Sequence, residues 1–432
     1  MNTRRTALAP AILTASITIA GITLAACSQT AAAPETTTAA STADNADANA
    51  DANPEQDSPA EVSGPEARLV ATYDGGITVL NAETLEEIAD IPLNGFNRLN
   101  PLGDGRTVAV STPEGFQVLD VAAWTEPHGD HTHSYTAQPR LTDDIYKGDK
   151  PGHVVNHAGR TLLFSDGDGT IQELDNDKLT DAAQDGKFAQ PDSVVELSPH
   201  HGVAVALSDG GMVHTEGTED SRSSLVAVDA DGQETARIND CPGVHGEAAA
   251  ADETLTFGCE DGVVIYKDGE FKKVAAADEY GRMGNQAGSE QSPIVLADYK
   301  VDPDAELERP TQIALINTHQ DSIQLVDLGT SYSFRSLARG PEGEALVLGT
   351  DGQLRSIDPT TGEILYSVQV TEKWEEPEQW QSPRPSIFAQ GDKAFITEPG
   401  AQKLHVVDIA SGEVMESKTI GKSLNELTGI TG

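Results

Sequence analysis

A recurring strand pattern is the feature of this 432-residue chain that most restricts its fold. From about residue 64 onward, an apolar strand leads into an Asp/Gly turn, a second strand and a short strand that ends near an Asp. Apolar and polar residues alternate in several of these strands, which is the pattern of half-buried β-structure. Helical periodicity is scarce apart from a stretch near residues 178–185, so the chain is predicted to be all-β. Six of the strand ends are recognisable, at Leu119-Asp120, Leu174-Asp175, Val228-Asp229, Val326-Asp327, Ile357-Asp358 and Val407-Asp408.

The spacing of the pattern, 40 to 50 residues, is typical of a β-propeller. We predict eight blades over residues 64–432, with seven as the alternative, since irregular repeats can be merged or split. The first repeat lacks an innermost strand, and the C-terminal segment 423–430 is expected to supply it and close the ring. The repeats are predicted to begin near residues 68, 97, 152, 200, 244, 293, 335 and 384.

The first 63 residues differ in composition from the repeats. Two arginines precede an uncharged, mostly apolar stretch that ends in Leu24-Ala25-Ala26-Cys27, as in a secretory signal followed by a lipidation site. Residues 1–26 are therefore predicted to be a lipoprotein signal peptide, with a retained transmembrane anchor as the alternative. Cys27 is predicted to be lipidated, and residues 27–63, rich in Ala, Thr and Asp, to form a disordered stalk. Both interpretations place the domain outside the cytoplasm, anchored to the cell membrane.

The formal net charge of −42 restricts the possible partners. Binding to nucleic acid is excluded, because contact with phosphates requires Lys and Arg. High negative charge keeps an exported protein soluble and suits a saline habitat, so it identifies no specific ligand. We expect a monomer.

Two further cysteines, Cys241 and Cys259, follow Cys27 in the chain. They are 18 residues apart, a separation that suits two neighbouring strands of one repeat. An even pair of cysteines in an exported protein predicts a disulfide. Zinc ligation by the two thiolates is the alternative, which an oxidising compartment disfavours.

Three histidines occupy equivalent places in three successive repeats. His153, His201 and His245 each follow a proline within three residues, and they are 48 and 44 residues apart. Equivalent positions of a closed repeat structure converge on its axis, and three imidazoles are a common zinc-ligand set. We predict a metal site at one mouth of the central channel, with His200 as the alternative to His201. A single histidine is more often a core or surface residue, but three in register favour ligation.

A second cluster, His128-Gly-Asp130-His131-Thr-His133, lies in the outer connection of the second repeat. Short His-rich tracts often bind metal, although a solvated polar loop has the same composition. Two roles are open: the segment folds over the channel mouth and completes a tetrahedral site, or it captures or hands over metal nearby. In the first case the fourth ligand is Asp130 or one of the three loop histidines.

The sequence leaves alternatives for the metal and for the function. Imidazole ligands suit Zn²⁺, but copper(II) would bind such a site at least as tightly. An exported zinc- or quinone-dependent propeller enzyme is a second hypothesis, with Glu247 as its general base, although no His-Glu-x-x-His or Gly-x-Ser-x-Gly motif accompanies it. A metal-free propeller used for protein–protein interaction is a third. Asp166-Gly-Asp-Gly169 is interpreted as a hairpin turn rather than a calcium loop.

These motifs resemble the AztD family, the exported zinc metallochaperones encoded with zinc ABC importers. The resemblance covers the repeats from about residue 64 to the C-terminus. It implies a non-enzymatic protein that binds zinc outside the cytoplasm and transfers it to the solute-binding protein of the importer. The residues that carry it are the His128–Gly–Asp–His–Thr–His133 cluster, Gly152-His153-Val-Val, Pro199-His-His201-Gly-Val-Ala-Val and Cys241-Pro-Gly-Val-His245-Gly-Glu.

The resemblance also bears on the cysteines and on the tether. The segment Phe257-Gly-Cys259-Glu-Asp-Gly262 belongs with the last of these motifs and supports the disulfide. Family members with this role are soluble periplasmic proteins, so the predicted lipid anchor is a departure. Tethering would keep the chaperone at a high effective concentration near a membrane importer.

Overall fold

Four-stranded antiparallel sheets repeat along the chain in this computed structural model, which describes residues 59–432. The described part begins with β1 (Ala60–Val62), and sheet 1 then contains β2 (Arg68–Tyr73), β3 (Gly75–Asn81) and β4 (Glu87–Leu93). Sheet 2 contains β5 (Leu99–Pro101), β6 (Thr107–Thr112), β7 (Gly115–Asp120) and, after the inserted strands β8 (Ala123–His128) and β9 (His131–Thr136), β10 (Arg140–Lys147). Sheet 3 contains β11 (Pro151–His157), β12 (Arg160–Ser165), β13 (Thr170–Asp175) and, after helix α1 (Asn176–Gln184), β14 (Ser193–Glu196).

The remaining sheets follow in chain order. Sheet 4 contains β15 (Ala204–Ala206), β16 (Met212–Gly217), β17 (Arg222–Val228) and β18 (Glu234–Ile238). Sheet 5 contains β19 (Glu247–Ala250), a 3₁₀ turn (Ala251–Glu253), β20 (Thr254–Cys259), β21 (Gly262–Lys267) and β22 (Glu270–Ala275). Sheet 6 contains β23 (Gln286–Ala287), β24 (Ile294–Asp298), β25 (Gln312–Asn317) and β26 (Ser322–Asp327). Sheet 7 contains β27 (Leu337–Arg339), β28 (Ala345–Leu348), β29 (Gln353–Ile357) and β30 (Ile364–Gln369). Sheet 8 contains β31 (Ile387–Gln390), β32 (Lys393–Glu398), β33 (Lys403–Asp408) and β34 (Val414–Thr419).

The last strand, β35 (Leu427–Ile430), does not start a new sheet. It pairs antiparallel with β2, with Arg68 opposite Ile430 and Ala71 opposite Leu427. The last strand of the chain therefore belongs to the sheet of the first repeat, and β35 is the strand that the first repeat lacks. This is the pairing that the sequence predicted for segment 423–430.

Apolar clusters lie between neighbouring sheets and form the core. Sheets 1 and 2 share a cluster that contains Val70 and Val108, and sheets 4 and 5 share one that contains Val213 and Phe257. Each of the remaining pairs of consecutive sheets shares a cluster of the same kind, and a further cluster lies between sheet 8 and sheet 1. The inner strands of each sheet are buried because both of their faces contact such clusters.

The all-β prediction is confirmed, as is the short helix, which the structure places at Asn176–Gln184. Asp175 caps this helix by accepting the backbone N–H groups of Asp177 and Lys178. The sixth repeat begins at β23 rather than near residue 293, because its two-residue first strand carries little pattern. Within residues 59–432, no helix has the length and apolar character that crossing a bilayer requires.

The N-terminal boundary differs from the sequence prediction. The predicted signal peptide, Cys27 and most of the predicted stalk lie outside the described residues. The stalk was assigned to residue 63, but Ala60–Val62 forms β1 and pairs with β9 in a three-stranded sheet with β8. Three residues with one aliphatic side chain give too short a pattern for sequence analysis to detect a strand.

The packing of β35 predicts a large cost for truncating its last apolar side chain. Ile430 is buried among residues of sheets 1 and 2, so Ile430→Ala is expected to lower the free energy of unfolding by about 2 to 5 kcal/mol. Ile364→Ala makes the same chemical change on the exposed strand β30 and should cost under about 1 kcal/mol. Urea denaturation measures both. Equal costs would contradict the role of β35 in the core.

Candidate metal centre

The three predicted channel histidines lie at the same end of three consecutive sheets. His153 is the third residue of β11, His201 lies three residues before β15, and His245 lies two residues before β19. These are the points where the first strands of sheets 3, 4 and 5 begin. Only His153 is on a strand; His201 and His245 are in the loops that enter one.

The structure brings the three rings together. The ring centroids of His201 lie 4.9 Å from those of His153 and of His245, and the third pair is 5.8 Å apart. One ring nitrogen from each residue lies within 4.8 Å of the others. A tetrahedral zinc ion with bonds of 2.0–2.1 Å separates its nitrogen ligands by about 3.3 Å. The three nitrogens therefore lie within about 1.5 Å of the separation that one zinc ion requires.

Two of the rings are oriented by hydrogen bonds from Nδ1. His201 Nδ1 donates to Asp166 Oδ2 at 2.5 Å, and His245 Nδ1 donates to the carbonyl oxygen of Gly284 at 2.5 Å. Both partners can only accept, so they fix the tautomer that keeps the proton on Nδ1 and the lone pair on Nε2. Metal-ligating histidines are held in the same way.

Two glycines make room for these acceptors. A Cβ on Gly152 would lie 2.2 Å from Oδ1 of Asp166, and a Cβ on Gly246 would lie 2.5 Å from the carbonyl oxygen of Gly284. Gly246 also has a φ of +77°, which disfavours other residues. The glycine beside His153 and the one beside His245 thus allow the close approaches on which the orientation of His201 and His245 depends.

Burial keeps two of the histidines neutral. Desolvation, together with the positive potentials of His245, His201 and Arg98, holds the pKa of His153 well below its usual value. Desolvation and the neighbouring His201 lower the pKa of His245 to about 3. In the described part of the chain, Nδ1 of His153 is buried without a hydrogen-bond partner, which is costly for a polar atom. Neutral, desolvated imidazoles are suitable ligands for a divalent metal ion.

The cluster forms part of the wall of a cavity of about 550 Å³. Arg98, Arg282 and Lys300 bring positive charge to this wall, and Glu247 and Asp298 bring carboxyl groups. Burial raises the pKa of Glu247 to about 7. Glu247 was the general base in the enzyme hypothesis; it lines the cavity but is not among the converging ligand atoms. The fourth position of a metal ion held by the three histidines would therefore be accessible from this cavity.

His200 lies outside the cluster. Its Nδ1 donates to the carbonyl oxygen of Ser198 at 2.7 Å, and its Nε2 is 2.9 Å from the hydroxyl of Thr215. With both nitrogens engaged and the ring buried, His200 is a structural residue of sheet 4. Of the two adjacent histidines, the structure places His201 in the cluster and His200 in the core.

The second predicted cluster forms the tip of a β-hairpin rather than a flexible loop. His128 ends β8, His131 begins β9, and Gly129-Asp130 is the turn between them. His131 Nε2 is 3.3 Å from His128 Nδ1 and 3.0 Å from His133 Nε2. The three histidines form the second group in the described chain whose ligand atoms converge closely enough for a metal ion.

The two clusters lie at opposite ends of the sheets. Arg98, at the start of β5, lines the same cavity as the channel histidines. The hairpin leaves sheet 2 at the other end, after Asp120, and Trp124 at its base stacks under the guanidinium of Arg106 at 4.0 Å. The prediction that this segment closes over the channel mouth is therefore wrong. Asp130 and His128, His131 and His133 do not complete the channel site, because β5 to β7 separate them from it.

The two remaining cysteines form a disulfide in the structure. Cys241 and Cys259 are joined, and both are buried. Cys241 lies four residues before His245, and the backbone N–H of His245 donates to the carbonyl oxygen of Gly258, next to Cys259. The bond closes a loop for which about 3 kcal/mol of stabilisation is typical, and it holds the segment that carries His245 against β20.

Sequence reasoning missed the groups that orient the rings. Asp166 was assigned to a hairpin turn. The structure contains this turn, in which the N–H of Gly169 donates to the carbonyl oxygen of Ser165. Asp166 also contacts His201, which belongs to the neighbouring sheet. Gly284 contributes only a backbone carbonyl, for which no sequence signal exists.

Comparison with known proteins supports the assignment of the fold. The zinc chaperone AztD of Citrobacter koseri is 26% identical over 356 residues, which cover 79% of this chain and 81% of that protein. This chain resembles AztD. A crystal structure of Citrobacter koseri AztD has a TM-score of 0.71 at 24% identity, and the match covers 85% of this chain and 99% of that chain. No family model matches the chain.

The likeness to AztD is more informative than the fold alone. Dihydro-heme d1 dehydrogenase NirN also matches, with a TM-score of 0.52 at 14% identity over 85% of this chain and 75% of that chain. An enzyme therefore shares the β-propeller-like architecture, which cannot by itself decide function. AztD, which matches in sequence as well as in fold, is named as a chaperone.

The low pKa of His245 predicts a pH dependence of stability. Below about pH 6.5 the unfolded chain takes up a proton on this residue, whereas the folded protein does so only near pH 3. The free energy of unfolding should therefore fall as the pH drops from about 6.5 towards 3, by about 1.4 kcal/mol per pH unit for each such histidine. Above about pH 6.5, His245 does not make the free energy of unfolding depend on pH. Urea denaturation in EDTA from pH 7 to 4.5 is expected to show a shallower slope for His245→Gln. An unchanged slope would contradict a neutral His245.

Proposed function

We propose that this protein is an extracytoplasmic zinc metallochaperone that stores zinc and transfers it to the solute-binding protein of a zinc ABC importer. The observation that carries the proposal is the convergence of His153, His201 and His245 at the wall of an open cavity. The sequence similarity to a zinc chaperone supports zinc as the metal. The protein is not proposed to be an enzyme.

The chemistry of the site suits a metal that must leave again. Three imidazole ligands bind zinc strongly without adding negative charge. Closed structural zinc sites have four protein ligands, whereas here the converging atoms come from three residues. The fourth position facing the cavity would let a ligand from an acceptor protein enter before the three histidines are released. Protons compete for the imidazoles, so binding is expected to weaken at low pH.

The architecture that we propose is an eight-bladed propeller. Each of the eight four-stranded sheets would be one blade, and β35 would close the ring by completing the first. The cavity with the three histidines would then be one mouth of the central channel. This arrangement explains why residues 48 and 44 positions apart in the sequence meet at one place.

The hairpin histidines His128, His131 and His133 are proposed to form a second, exposed zinc site, with Asp130 beside it. Asp130 Oδ1 lies 3.2 Å from Nδ1 of His131. Because the hairpin is at the end of the sheets opposite the channel site, it would capture or hand over zinc independently rather than cap the first site.

The cellular location is part of the same proposal. The sequence of residues 1–26, followed by Cys27, supports export and lipid anchoring to the cell membrane. The disulfide between Cys241 and Cys259 fits an oxidising compartment. We propose a monomer that meets the importer's solute-binding protein at the membrane surface, with no nucleic acid partner.

Zinc retention tests the channel site. After equilibrium dialysis and metal analysis, the wild-type protein is expected to retain at least about one zinc ion per chain, as a three-histidine site predicts. The combined His153→Ala, His201→Ala and His245→Ala variant should lose its tightest site. His200→Ala is the matched control, because it removes a neighbouring imidazole that lies outside the cluster, and it should keep the zinc.

Transfer is measured by mixing the zinc-loaded protein with a metal-free solute-binding protein and separating the two. Zinc should reach the solute-binding protein faster than it is released into solution, a rate that is measured by trapping the released zinc with a chelator. Unchanged zinc affinity in the triple variant, or no retained zinc in the wild type, would refute the proposed function.

The carboxylate that orients His201 provides a separate test. Asp166→Asn keeps the shape of the side chain but removes the charge that accepts the Nδ1 proton of His201. Such outer-shell changes typically weaken metal binding by about 10- to 100-fold. Competition with a chromophoric chelator measures the effect, with Asp168→Asn, two residues along the same turn, as the control. Equal affinities for the two variants would show that Asp166 does not support the metal site.

A further inference from the structure

The first strand of the described chain contacts the hairpin zinc site. Strand β1 pairs with β9, with Glu61 opposite Tyr135 and Val62 opposite Ser134. Through this pairing, a carboxylate that is 72 positions away in the sequence reaches the hairpin. Oε1 of Glu61 accepts a hydrogen bond from Nδ1 of His133 at 2.6 Å.

The hydrogen bonds of the hairpin cluster match those of the channel site. In the channel, Asp166 accepts from Nδ1 of His201 and leaves Nε2 as the ligand atom. At the hairpin, Glu61 accepts from Nδ1 of His133, and Nε2 of His133 faces Nε2 of His131 at 3.0 Å. A carboxylate on one nitrogen fixes the ring and raises the basicity of the other. Glu61 therefore has the geometry of an orienting group for a metal ligand.

Strand β1 is short and mostly exposed. It has three residues, of which Ala60 and Glu61 are exposed and Val62 is half-buried. Within residues 59–432, β9 is its only sheet partner. A strand this short is marginal by itself, so the hydrogen bond between Glu61 and His133 adds to the backbone pairing that holds it in place.

We propose that Glu61 is a positioning residue of the hairpin zinc site and that zinc binding and the pairing of β1 with β9 stabilise each other. The inference rests on the second zinc site of the proposed function. Zinc on Nε2 of His133 makes the Nδ1 proton more acidic and strengthens its hydrogen bond to the carboxylate. By linkage, the factor by which pairing of β1 with β9 tightens zinc binding equals the factor by which zinc favours the paired strand.

Two measurements test the two directions of this coupling. The first is zinc affinity of the hairpin, by chelator competition in a chain that also carries His153→Ala, His201→Ala and His245→Ala. Glu61→Gln is expected to weaken binding by about 10- to 100-fold. Glu270→Gln, an exposed strand carboxylate on the outer strand of sheet 5, is the matched control and should leave the affinity unchanged.

The second measurement is amide hydrogen exchange of residues 60–62 in the chain with an intact channel site. Saturating zinc should slow exchange there, and the protection should be largely lost in both Glu61→Gln and His133→Ala. A Glu61→Gln affinity within about twofold of the Glu270→Gln control would overturn the inference, and so would exchange that does not respond to zinc. If the hairpin binds no zinc while the channel site retains it, this inference and the proposed second site fail, whereas the zinc-chaperone function of the channel site stands. If neither site binds zinc, both fail.

Discussion

The ladder between β2 and β35 is the interaction on which the rest of the structure depends. It places the last strand of the chain in the sheet of the first repeat, and Ile430 then packs into the core between sheets 1 and 2. Gln390 of sheet 8 donates to the carbonyl oxygen of Ile430 at 2.8 Å, so the same strand contacts the last sheet. In residues 59–432 the apolar clusters lie between neighbouring four-stranded sheets, so loss of the β35 contact would expose apolar surface on the sheets beside it.

The candidate metal centre follows from this regular packing. Because consecutive sheets present equivalent ends to one cavity, single histidines from sheets 3, 4 and 5 meet without any of the three being close in sequence. The same regularity lets one sheet supply an orienting group for the next, as Asp166 after β12 does for His201 before β15. The geometry of the site is therefore as precise as the spacing of the sheets, which their apolar contacts fix.

Much of the fold was predictable because strand alternation and Asp/Gly turns are local signals. The strand ends predicted at Leu174-Asp175 and Val407-Asp408 are the ends of β13 and β33. The three channel histidines were predictable for a related reason, since equal spacing in a repeat implies equal position in space. The sequence could not reveal that the hairpin leaves sheet 2 at the other end, because that depends on the direction of β7. Nor could it reveal Glu61 or the carbonyl of Gly284, whose roles exist only through contacts between distant segments.

The disulfide has a consequence for when the proposed metal site becomes complete. Cys241 and Cys259 bracket the loop of His245 and the strand that this loop rests on. Before the thiols are oxidised, hydrogen bonds and the packing of side chains such as Val244 restrain that loop without a covalent link, so His245 is held less firmly. If the protein is exported and binds zinc as proposed, oxidation of the pair is a maturation step for the site. A newly made chain in a reducing cytoplasm would then compete less well for zinc, and its affinity would increase once the chain reaches an oxidising compartment.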